Sequence, residues 1–352
     1  MRSAEPATRI ETFTSLTALP DDAQSLFAAS TSFFTSRDWW ECVLAHAMPA
    51  RAEPRLLLAR HCGRPAALFP MLLDPGGGGF RALTTPYSCL YAPLIAPEVG
   101  DRAGVFAAFA RHCRAFATTR LDALDAATAA DLTAACGPAG IAVARFDHFG
   151  NWHEPVAGLD FASWARRRPG ALRETIRRRT RQAERLAEGR FALFSDPNDI
   201  AEGIEAFEAV YARSWKEPEP YPTFNPAQIR AAAALGIARL GIWWIGEVAA
   251  AAQFWIVEAS GATVLKLAHD EAFKAHSPGT VLTAWMIRHL LEQEHVADLD
   301  FGRGDDPYKR DWVTDRRQRI GLLLINPRRP AGIAALARHK IGRLRARLRP
   351  VG

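Results

Sequence analysis

Three consecutive apolar runs in the second half of the chain predict a meander of β-strands. They cover residues 238–245, 248–258 and 262–269, with short glycine-containing turns between them. Apolar residues at helical spacing then predict a helix over residues 281–294, and residues 296–301 predict a further strand. The functional prediction depends most on this order of strand, Ser-Pro-Gly turn, helix and strand.

The remaining hydrophobic pattern predicts a mixed α/β chain with two domains. Helical spacing indicates helices over residues 33–44, 103–116, 172–188, 199–215 and 226–235. Short apolar runs indicate strands over residues 54–60, 65–73, 121–125, 141–146 and 191–194. Residues 150–156 are rich in turn-forming types, so we expect domains at residues 1–155 and 156–330 and a separate tail at residues 331–352.

Four glycines at residues 76–79 follow a predicted strand and suit either a hairpin tip or a phosphate-binding loop. A phosphate-binding loop would need a following Gly-Lys-Ser/Thr and the start of a helix, and the sequence has neither. We therefore interpret the glycines as a turn.

The composition is that of an ordinary folded chain: 352 residues, 49% hydrophobic and 23% charged. The N-terminus lacks the apolar stretch of a signal peptide, and the longest uncharged stretch, residues 82–97, is shorter than the ~20 residues of a membrane-spanning helix. The five cysteines are odd in number and form no C-x-x-C pair, so we expect reduced core thiols. A cytoplasmic protein is predicted, and peripheral contact with the inner membrane is left open.

The net charge of +6 is unevenly distributed. From Arg316 to the end there are 11 Lys or Arg and no acidic residue, which leaves 33 positive and 38 negative side chains in the rest of the chain. A second basic run, residues 164–190, has 10 Arg against three Glu. Its arginines recur at helical spacing, which indicates either a solvated helix or a receiver for a phosphate-rich donor.

The basic tail also has helical periodicity. Its apolar stripe consists of Ile333, Ala337, Ile341, Leu344 and Leu348, with Arg and Lys around it. Such a helix suits an anionic membrane surface, and a merely solvated terminal helix fits the pattern equally well.

Ser277, Pro278, Gly279 and Thr280 stand between a predicted strand and a predicted helix. The free amides and the positive dipole end of a helix start can receive an anion such as a pyrophosphate, and Gly279 would allow its close approach. An ordinary helix start, with Ser as the cap and Pro at the first helical position, has the same pattern. The segment alone leaves both interpretations open.

Two C-terminal segments carry a resemblance to a known family. Residues 263–282 and the run Asp298-Leu-Asp-Phe-Gly-Arg-Gly-Asp-Asp-Pro-Tyr-Lys-Arg-Asp-Trp resemble the GNAT-type acyltransferases of the cellulose-biosynthesis-associated (CelD/BcsL) group, which are related to FemAB peptidyltransferases. Weaker similarity is found in Phe34-Thr-Ser-Arg-Asp-Trp-Trp, in Ala67-Leu-Phe-Pro-Met-Leu and in the segment from Arg173. The resemblance implies an α/β (α+β) fold of tandem GNAT-like domains, with mixed, mostly antiparallel sheets flanked by helices.

The resemblance also implies that an acyl thioester binds in the second domain, at the loop before its main helix. Ser277, Pro278, Gly279 and Thr280 fill that position here. The chain lacks the longer pyrophosphate loop of ordinary acetyltransferases, so an acyl carrier protein thioester stands beside acyl-CoA as the expected donor. No metal site is predicted, because His289 and His295 would lie on different faces of a helix.

Amide formation from a thioester needs a base for the amine, a donor for the oxyanion and an acid for the thiolate. His269, at the predicted end of a strand, suits the base, although it could simply end the strand. Asp300 could hold the incoming ammonium or act as a base through water, or it could be a structural carboxylate paired with Arg303 or Lys309. Tyr308 could protonate the thiolate, and Lys309 could stabilise the oxyanion.

The predicted function is an N-acyltransferase that moves an acyl group from a thioester to a small-molecule amine on an envelope-related sugar or lipid. Its specific form is long-chain acylation of a sphingoid-type amine, as in bacterial ceramide synthases. One alternative is a FemAB-like peptidyltransferase that uses aminoacyl-tRNA, the only case in which nucleic acid is expected as a partner. The other is a non-catalytic, membrane-associated scaffold.

Two features of this half of the chain receive ordinary interpretations. Asp300-Phe-Gly lacks the other motifs of a protein kinase, so it is not taken as a magnesium site. Trp243, Trp244 and Trp255 are assigned to the core.

Overall fold

The protein is described by a computed structural model that covers residues 8–75 and 79–348. Within these ranges, residues 8–44, 48–149 and 318–348 form the first unit, and residues 45–47 and 150–317 form the second unit. The glycine turn predicted at residues 76–79 falls largely outside the described residues, but the flanking strands confirm a hairpin, because they pair antiparallel.

Up to residue 155 the chain alternates between strands and helices. In chain order these are β1 (Thr8–Phe13), α1 (Gln24–Ala28), α2 (Arg37–His46), β2 (Glu53–His61), β3 (Arg64–Leu73), β4 (Phe80–Ala82), β5 (Leu94–Ile95), α3 (Arg102–Cys113), β6 (Thr118–Leu124), α4 (Ala126–Cys136) and β7 (Ala142–Pro155).

The rest of the chain continues this alternation. It forms α5 (Phe161–Arg166), α6 (Gly170–Glu184), β8 (Gly189–Phe194), α7 (Ile200–Ala212), α8 (Phe224–Ala234), β9 (Ala238–Ile245), β10 (Val248–Glu258), β11 (Gly261–His269), α9 (Pro278–Glu292), β12 (Asp298–Asp300), α10 (Lys309–Trp312), β13 (Asp315–Ile325) and α11 (Pro330–Leu348).

The sheet of the first unit has the strand order β1-β2-β3-β4-β6-β13, and β5 adds to β3. Its pairs are antiparallel, except that β4 and β6 run parallel. Strand β13 joins this sheet by pairing with β6, from Ile325↔Thr118 to Ile320↔Leu124. Residues 318–330, expected in the second domain, therefore lie in the first unit.

The sheet of the second unit has the order β7-β12-β11-β10-β9-β8, and β11 and β12 are its parallel pair. Strands β9, β10 and β11 form the expected meander. Helix α9 packs on this sheet, and α7 also packs on β9, β10 and β11. Mixed α/β architecture with mostly antiparallel sheets and flanking helices is thus confirmed.

The core of the second unit lies between α9 and the meander. Trp243 and Trp255 are fully buried and Trp244 is nearly so, which confirms their assignment to the core. Gly241 lets α9 approach β9, because a Cβ at that position would collide with the Met286 side chain.

Three sequence-based expectations need correction. Residues 150–155 are not a turn but the end of β7, where they pair with β12. This pairing is non-local, and the polar residues of the segment hide the strand pattern.

Helix α4 and strands β1 and β13 lie outside the predicted elements. Cys62 is exposed in the turn between β2 and β3, whereas the other four cysteines are buried; all five are free.

Among the described residues, no helix combines the length and apolar character needed to cross a membrane. The same part of the chain contains no group of three His, Cys, Asp or Glu residues arranged to hold a metal ion.

A buried ion pair joins three elements of the second unit. Arg168, between α5 and α6, donates from Nη2 to the Glu154 carboxylate of β7 at 2.7 Å. It also donates from Nη1 to the carbonyl of Trp312 at 2.6 Å. Both charged side chains are almost fully buried, so each depends on the other for its neutralisation.

Glu154→Ala should destabilise the fold by about 3–5 kcal/mol, because it leaves the buried Arg168 charge without its partner. The control is Glu174→Ala, which removes an exposed ion pair with Arg177 and should cost at most ~1 kcal/mol. Urea unfolding of the two variants measures both free energies. Equal losses would contradict the role assigned to the buried pair.

Candidate active site

Strands β11 and β12 diverge soon after they begin. They pair in parallel only through Gly261↔Asp298, Ala262↔Leu299 and Thr263↔Asp300. Strand β12 ends at Asp300, whereas β11 continues to His269. Beyond Thr263, this edge of β11 therefore has no paired strand among the described residues, and its backbone groups are free to meet a ligand.

The loop predicted to bind the donor lies at the start of α9. Pro278 occupies the first helical position, and Ser277 before it has a left-handed backbone with φ 54°. The Ser277 side chain forms no capping hydrogen bond, so the expected Ser cap is not formed. The first amides of α9 lack partners within the helix, as at any helix start, and can donate to an anion.

Two side chains fix the first turn of α9. Thr283 Oγ1 donates to the Gly279 carbonyl at 2.8 Å, and Gln253 Nε2 of β10 donates to the same oxygen at 3.3 Å. On its other side Gly279 faces His269, because a Cβ added to the glycine would lie 3.4 Å from the His269 Nδ1. The structure thus brings His269 and the predicted donor loop together.

His269 ends β11 and is half-buried. Its ring packs on Trp215 with the centroids 4.3 Å apart, and its Nε2 lies 3.3 Å from Glu271 Oε1. Burial lowers the pKa of His269 below its ordinary value, although the Glu271 carboxylate opposes the shift. The ring is therefore neutral at neutral pH, as a general base must be.

Tyr308 and Lys309 follow β12 in a short loop. The buried Lys309 donates from Nζ to the carbonyls of Arg303 at 2.7 Å and Gly304 at 3.2 Å, and it lies 3.3 Å from the Asp306 carboxylate. Lys309 thereby holds this loop in shape. Tyr308 is 40% exposed, yet the surrounding protein and then the Asp306 carboxylate raise the pKa of its phenol.

Asp300 belongs to a buried polar network. Its Oδ1 accepts from Asn151 Nδ2 at 2.6 Å and from the Gly302 amide at 2.6 Å. Arg317 Nη2 donates to the other oxygen, and Arg317 Nε donates to Asn151 Oδ1 at 2.5 Å. Both carboxylate oxygens are engaged, so Asp300 shapes the turn through Gly302.

The pairing partner of Asp300 differs from the two expected ones. Arg303 or Lys309 was the expected partner from sequence proximity, whereas the structure supplies Arg317 from the start of β13. This pairing depends on tertiary structure, since residues 301–316 separate the two side chains in the chain.

One cluster of polar side chains beside β11 was missed by the sequence analysis. Tyr211 Oη and Lys266 Nζ both donate to Glu219 Oε1. The ammonium of Lys216 lies 5.9 Å from the centre of the Tyr211 ring and 5.6 Å from that of Trp215. The only sequence signal was the proline-rich loop after α7, whose position over β11 cannot be read from the chain.

The cluster around Lys216 and Glu219 lies next to two of the residues predicted for the site, His269 and Lys309. Burial lowers the pKa of Lys216, and the ammonium groups of Lys266 and Lys309 lower it further against the pull of Glu219 and Asp306. Lys216 is thus close to the Tyr308 loop, and its neighbour Trp215 contacts His269. The candidate site therefore surrounds the end of β11. Asp300, at the end of β12, belongs to the polar network with Asn151 and Arg317.

Comparison with known proteins places this geometry in a fold class. Residues 170–310 match the family described as an acetyltransferase (GNAT) domain. No functionally curated protein matches the chain.

Solved structures match over most of the chain at low sequence identity. FemX has a TM-score of 0.57 at 10% identity, over 90% of this chain and 98% of FemX. The C-terminal domain of a candidate lysylphosphatidylglycerol synthetase from Agrobacterium fabrum has a TM-score of 0.57 at 13% identity, over 90% of this chain and 95% of that domain. A tandem GNAT protein from the clavulanic acid biosynthesis pathway has a TM-score of 0.49 at 13% identity, over 89% of this chain and 98% of that protein.

These matches bear on two expectations. The match of residues 170–310 to the GNAT domain and the fold similarity to FemX and to the synthetase domain confirm the expected GNAT-like α/β fold. Membership of the cellulose-biosynthesis-associated group stays a prediction.

The lowered pKa of His269 predicts a measurable pH effect. As pH falls through the ordinary histidine value of about 6.5, the unfolded chain takes up this proton before the folded protein does, so stability is lost. His269→Gln should therefore lose less unfolding free energy than the parent protein between about pH 7 and pH 5. Urea unfolding over this range checks the effect. A His269 ring that titrates by NMR at or above pH 6.5 would contradict it.

Proposed function

We propose that the protein is an N-acyltransferase that moves an acyl group from a thioester to an amine. The observation that carries the proposal is the position of His269, a half-buried histidine with a lowered pKa that faces Gly279 at the start of α9. An amine attacks a thioester only as the free base, and a neutral imidazole can take the proton that the amine releases.

The chemistry can be assigned to named groups around the end of β11. The amine nitrogen attacks the thioester carbonyl carbon, and the developing oxyanion accepts from backbone N–H groups on the unpaired edge of β11. The carbon–sulfur bond then breaks, and the thiolate takes a proton from Tyr308, which regains one from the protonated His269 through solvent. The raised pKa of Tyr308 keeps the phenol protonated until that step. Lys309 positions the loop that carries this phenol.

A phosphate-bearing thioester is the donor in this proposal, either acyl-CoA or an acyl carrier protein. Ser277, Pro278, Gly279 and Thr280 would receive its phosphate at the start of α9. Helix α6 supports the same assignment, because it packs against α9 and contacts the 3-10 turn Glu271–His276. Exposed arginines on α6 add positive charge beside the donor loop.

The proposed acceptor is an amine on an envelope-related sugar or lipid, and its specific form is long-chain acylation of a sphingoid-type amine. Helix α11 supports an acceptor at an anionic membrane surface. Ile333 and Ile341 are 57% and 51% exposed, and Ala337 between them is also exposed. The expected stripe positions Leu344 and Leu348 lie outside the described side chains. Basic residues without acidic ones from Arg316 onward complement anionic lipid.

A second candidate is an aminoacyl-tRNA-dependent transferase of the FemAB type. The observation in its favour is the arginine-rich surface of α6 beside the donor loop, which suits a nucleic acid as well as a coenzyme. It differs from the first proposal in the donor, so a direct comparison of donors separates the two.

The purified protein should release free thiol when it is supplied with an acyl thioester and an amine. Acetyl-CoA, palmitoyl-CoA, palmitoyl acyl carrier protein and an aminoacyl-tRNA are compared with one set of sugar and sphingoid amines. Product from a thioester supports the first proposal, and product from aminoacyl-tRNA alone supports the second. A protein inactive with every pairing would instead fit the scaffold alternative.

Substitution of Gly279 tests the donor loop. Gly279→Ala should be tolerated, because the added Cβ only reaches van der Waals distance from His269. Gly279→Val should raise the donor KM on the order of tenfold, because its methyl groups obstruct the approach to the first turn of α9. Thermal unfolding verifies that both variants fold. An unchanged donor KM in the folded valine variant would argue against this loop.

The parent protein should bind vesicles that contain anionic lipid more tightly than zwitterionic vesicles, and 0.5 M NaCl should weaken the binding. The double variant Ile333→Glu with Ile341→Glu should lose it. Leu235→Glu, at an exposed apolar residue of the second unit, is the control and should bind normally. Vesicle co-sedimentation measures all three proteins, and no preference for anionic vesicles would remove the membrane proposal.

A further inference from the structure

The two faces of β11 carry different chemistry near its end. Side chains of a strand alternate between faces, so Lys266 projects from the face opposite to His269. Gln253 pairs with Leu267 on the His269 face, and it bonds to the start of α9. Lys266 instead meets Tyr211 of α7 and Glu219 of the following loop. The donor loop and the lysine cluster therefore lie on opposite sides of β11.

Around Lys216 on the α7 side lie two other ammonium groups, those of Lys266 and Lys309, and the carboxylates of Glu219 and Asp306. Glu219 already accepts from Lys266 and Tyr211, and Asp306 lies against the Lys309 ammonium. Among the described residues, the Lys216 ammonium has ring contacts but neither a hydrogen-bond acceptor nor an ion-pair partner. A half-buried ammonium beside two others is costly unless an anion compensates it.

Two aromatic rings attract the Lys216 ammonium. Its ammonium lies near the rings of Tyr211 and Trp215, and the Lys266 ammonium lies 5.9 Å from the same Tyr211 ring. Aromatic rings attract cations, but they carry no net negative charge. They therefore do not neutralise the ammonium as an anion would. Trp215 is 51% exposed and Tyr308 is 40% exposed, so a ligand can reach this place from solvent.

We infer that Lys216, with Lys266 beside it, forms a subsite for a phosphate or carboxylate group carried by the amine acceptor. The acceptor would enter on the α7 side of β11, and the donor would bind at the α9 side. This inference rests on the proposed function, and it defines the acceptor as an envelope-related amine that also bears an anionic group, which an unmodified sphingoid amine lacks. An ammonium can bind either anion as a point charge, so the chemistry of the subsite is that of an anion.

Matched pairs of acceptors test the subsite by kinetics. Phosphoethanolamine is compared with ethanolamine, and β-alanine with propylamine, at a saturating concentration of the donor that supports turnover. Lys216→Met should raise the KM of the anionic amines ~10- to 100-fold and leave the KM of the neutral amines and of the donor unchanged. Lys216→Arg retains the charge and should recover most of the loss. The control is Arg230→Met, at an exposed basic residue of α8 outside the candidate site.

The two pairs also show which anion the subsite serves, since a larger effect on phosphoethanolamine selects phosphate and a larger effect on β-alanine selects carboxylate. A rise in the donor KM without a rise in the acceptor KM would assign the anion to the donor and overturn the inference. Equal effects of Lys216→Met on anionic and neutral amines would do the same.

Binding without turnover separates failure of the subsite from failure of the proposed function. Isothermal titration of the parent protein with phosphoethanolamine, in the absence of any donor, should show saturable binding that Lys216→Met abolishes and Arg230→Met retains. Binding of this kind in a protein that transfers no acyl group would uphold the subsite and remove the proposed reaction. Acyl transfer with no dependence of anion binding on Lys216 would remove the subsite alone.

Discussion

The early divergence of β11 from β12 is the constraint on which the candidate site depends. Parallel pairing stops at Thr263↔Asp300, and β11 then continues alone on that edge to His269. If pairing continued, the sheet itself would use the hydrogen-bonding groups that a thioester carbonyl needs. Asn151 and Arg317 donate hydrogen bonds to Asp300 at the end of β12 and so stabilise the divergence. The chain then turns through Gly302, whose φ is 62°.

Buried polar side chains hold the loop after β12 in one shape. Lys309 is a charged residue that is almost completely buried, which is tolerable only because it bonds to the carbonyls of Arg303 and Gly304 and lies beside Asp306. A network that is fully satisfied gives a rigid loop, and a rigid loop holds Tyr308 in one position. These contacts of Asp300 and Lys309 stabilise the loop that carries Tyr308, and the direct catalytic roles expected for the two residues stay predictions.

The alternation of side chains along β11 places two different groups of residues on its opposite faces over a short distance. His269 faces the start of α9, where backbone amides and the helix dipole favour an anion. Lys266 faces α7, where Lys216 adds a second ammonium group. In the transfer that we propose, the two substrates would reach one carbon atom from the two faces of this strand.

The hydrophobic pattern by itself determined the meander, the main helix and the α/β class, because these elements depend on local periodicity that β9, β10 and α9 retain. It also located His269 beside Gly279, since a strand, a turn and a helix in sequence remain neighbours in space. Only the tertiary structure decided the partner of Asp300 and the extension of β7. It also decided the meeting of Lys216 with Lys266. Each of these depends on contact between segments far apart in the chain, which a local pattern does not encode.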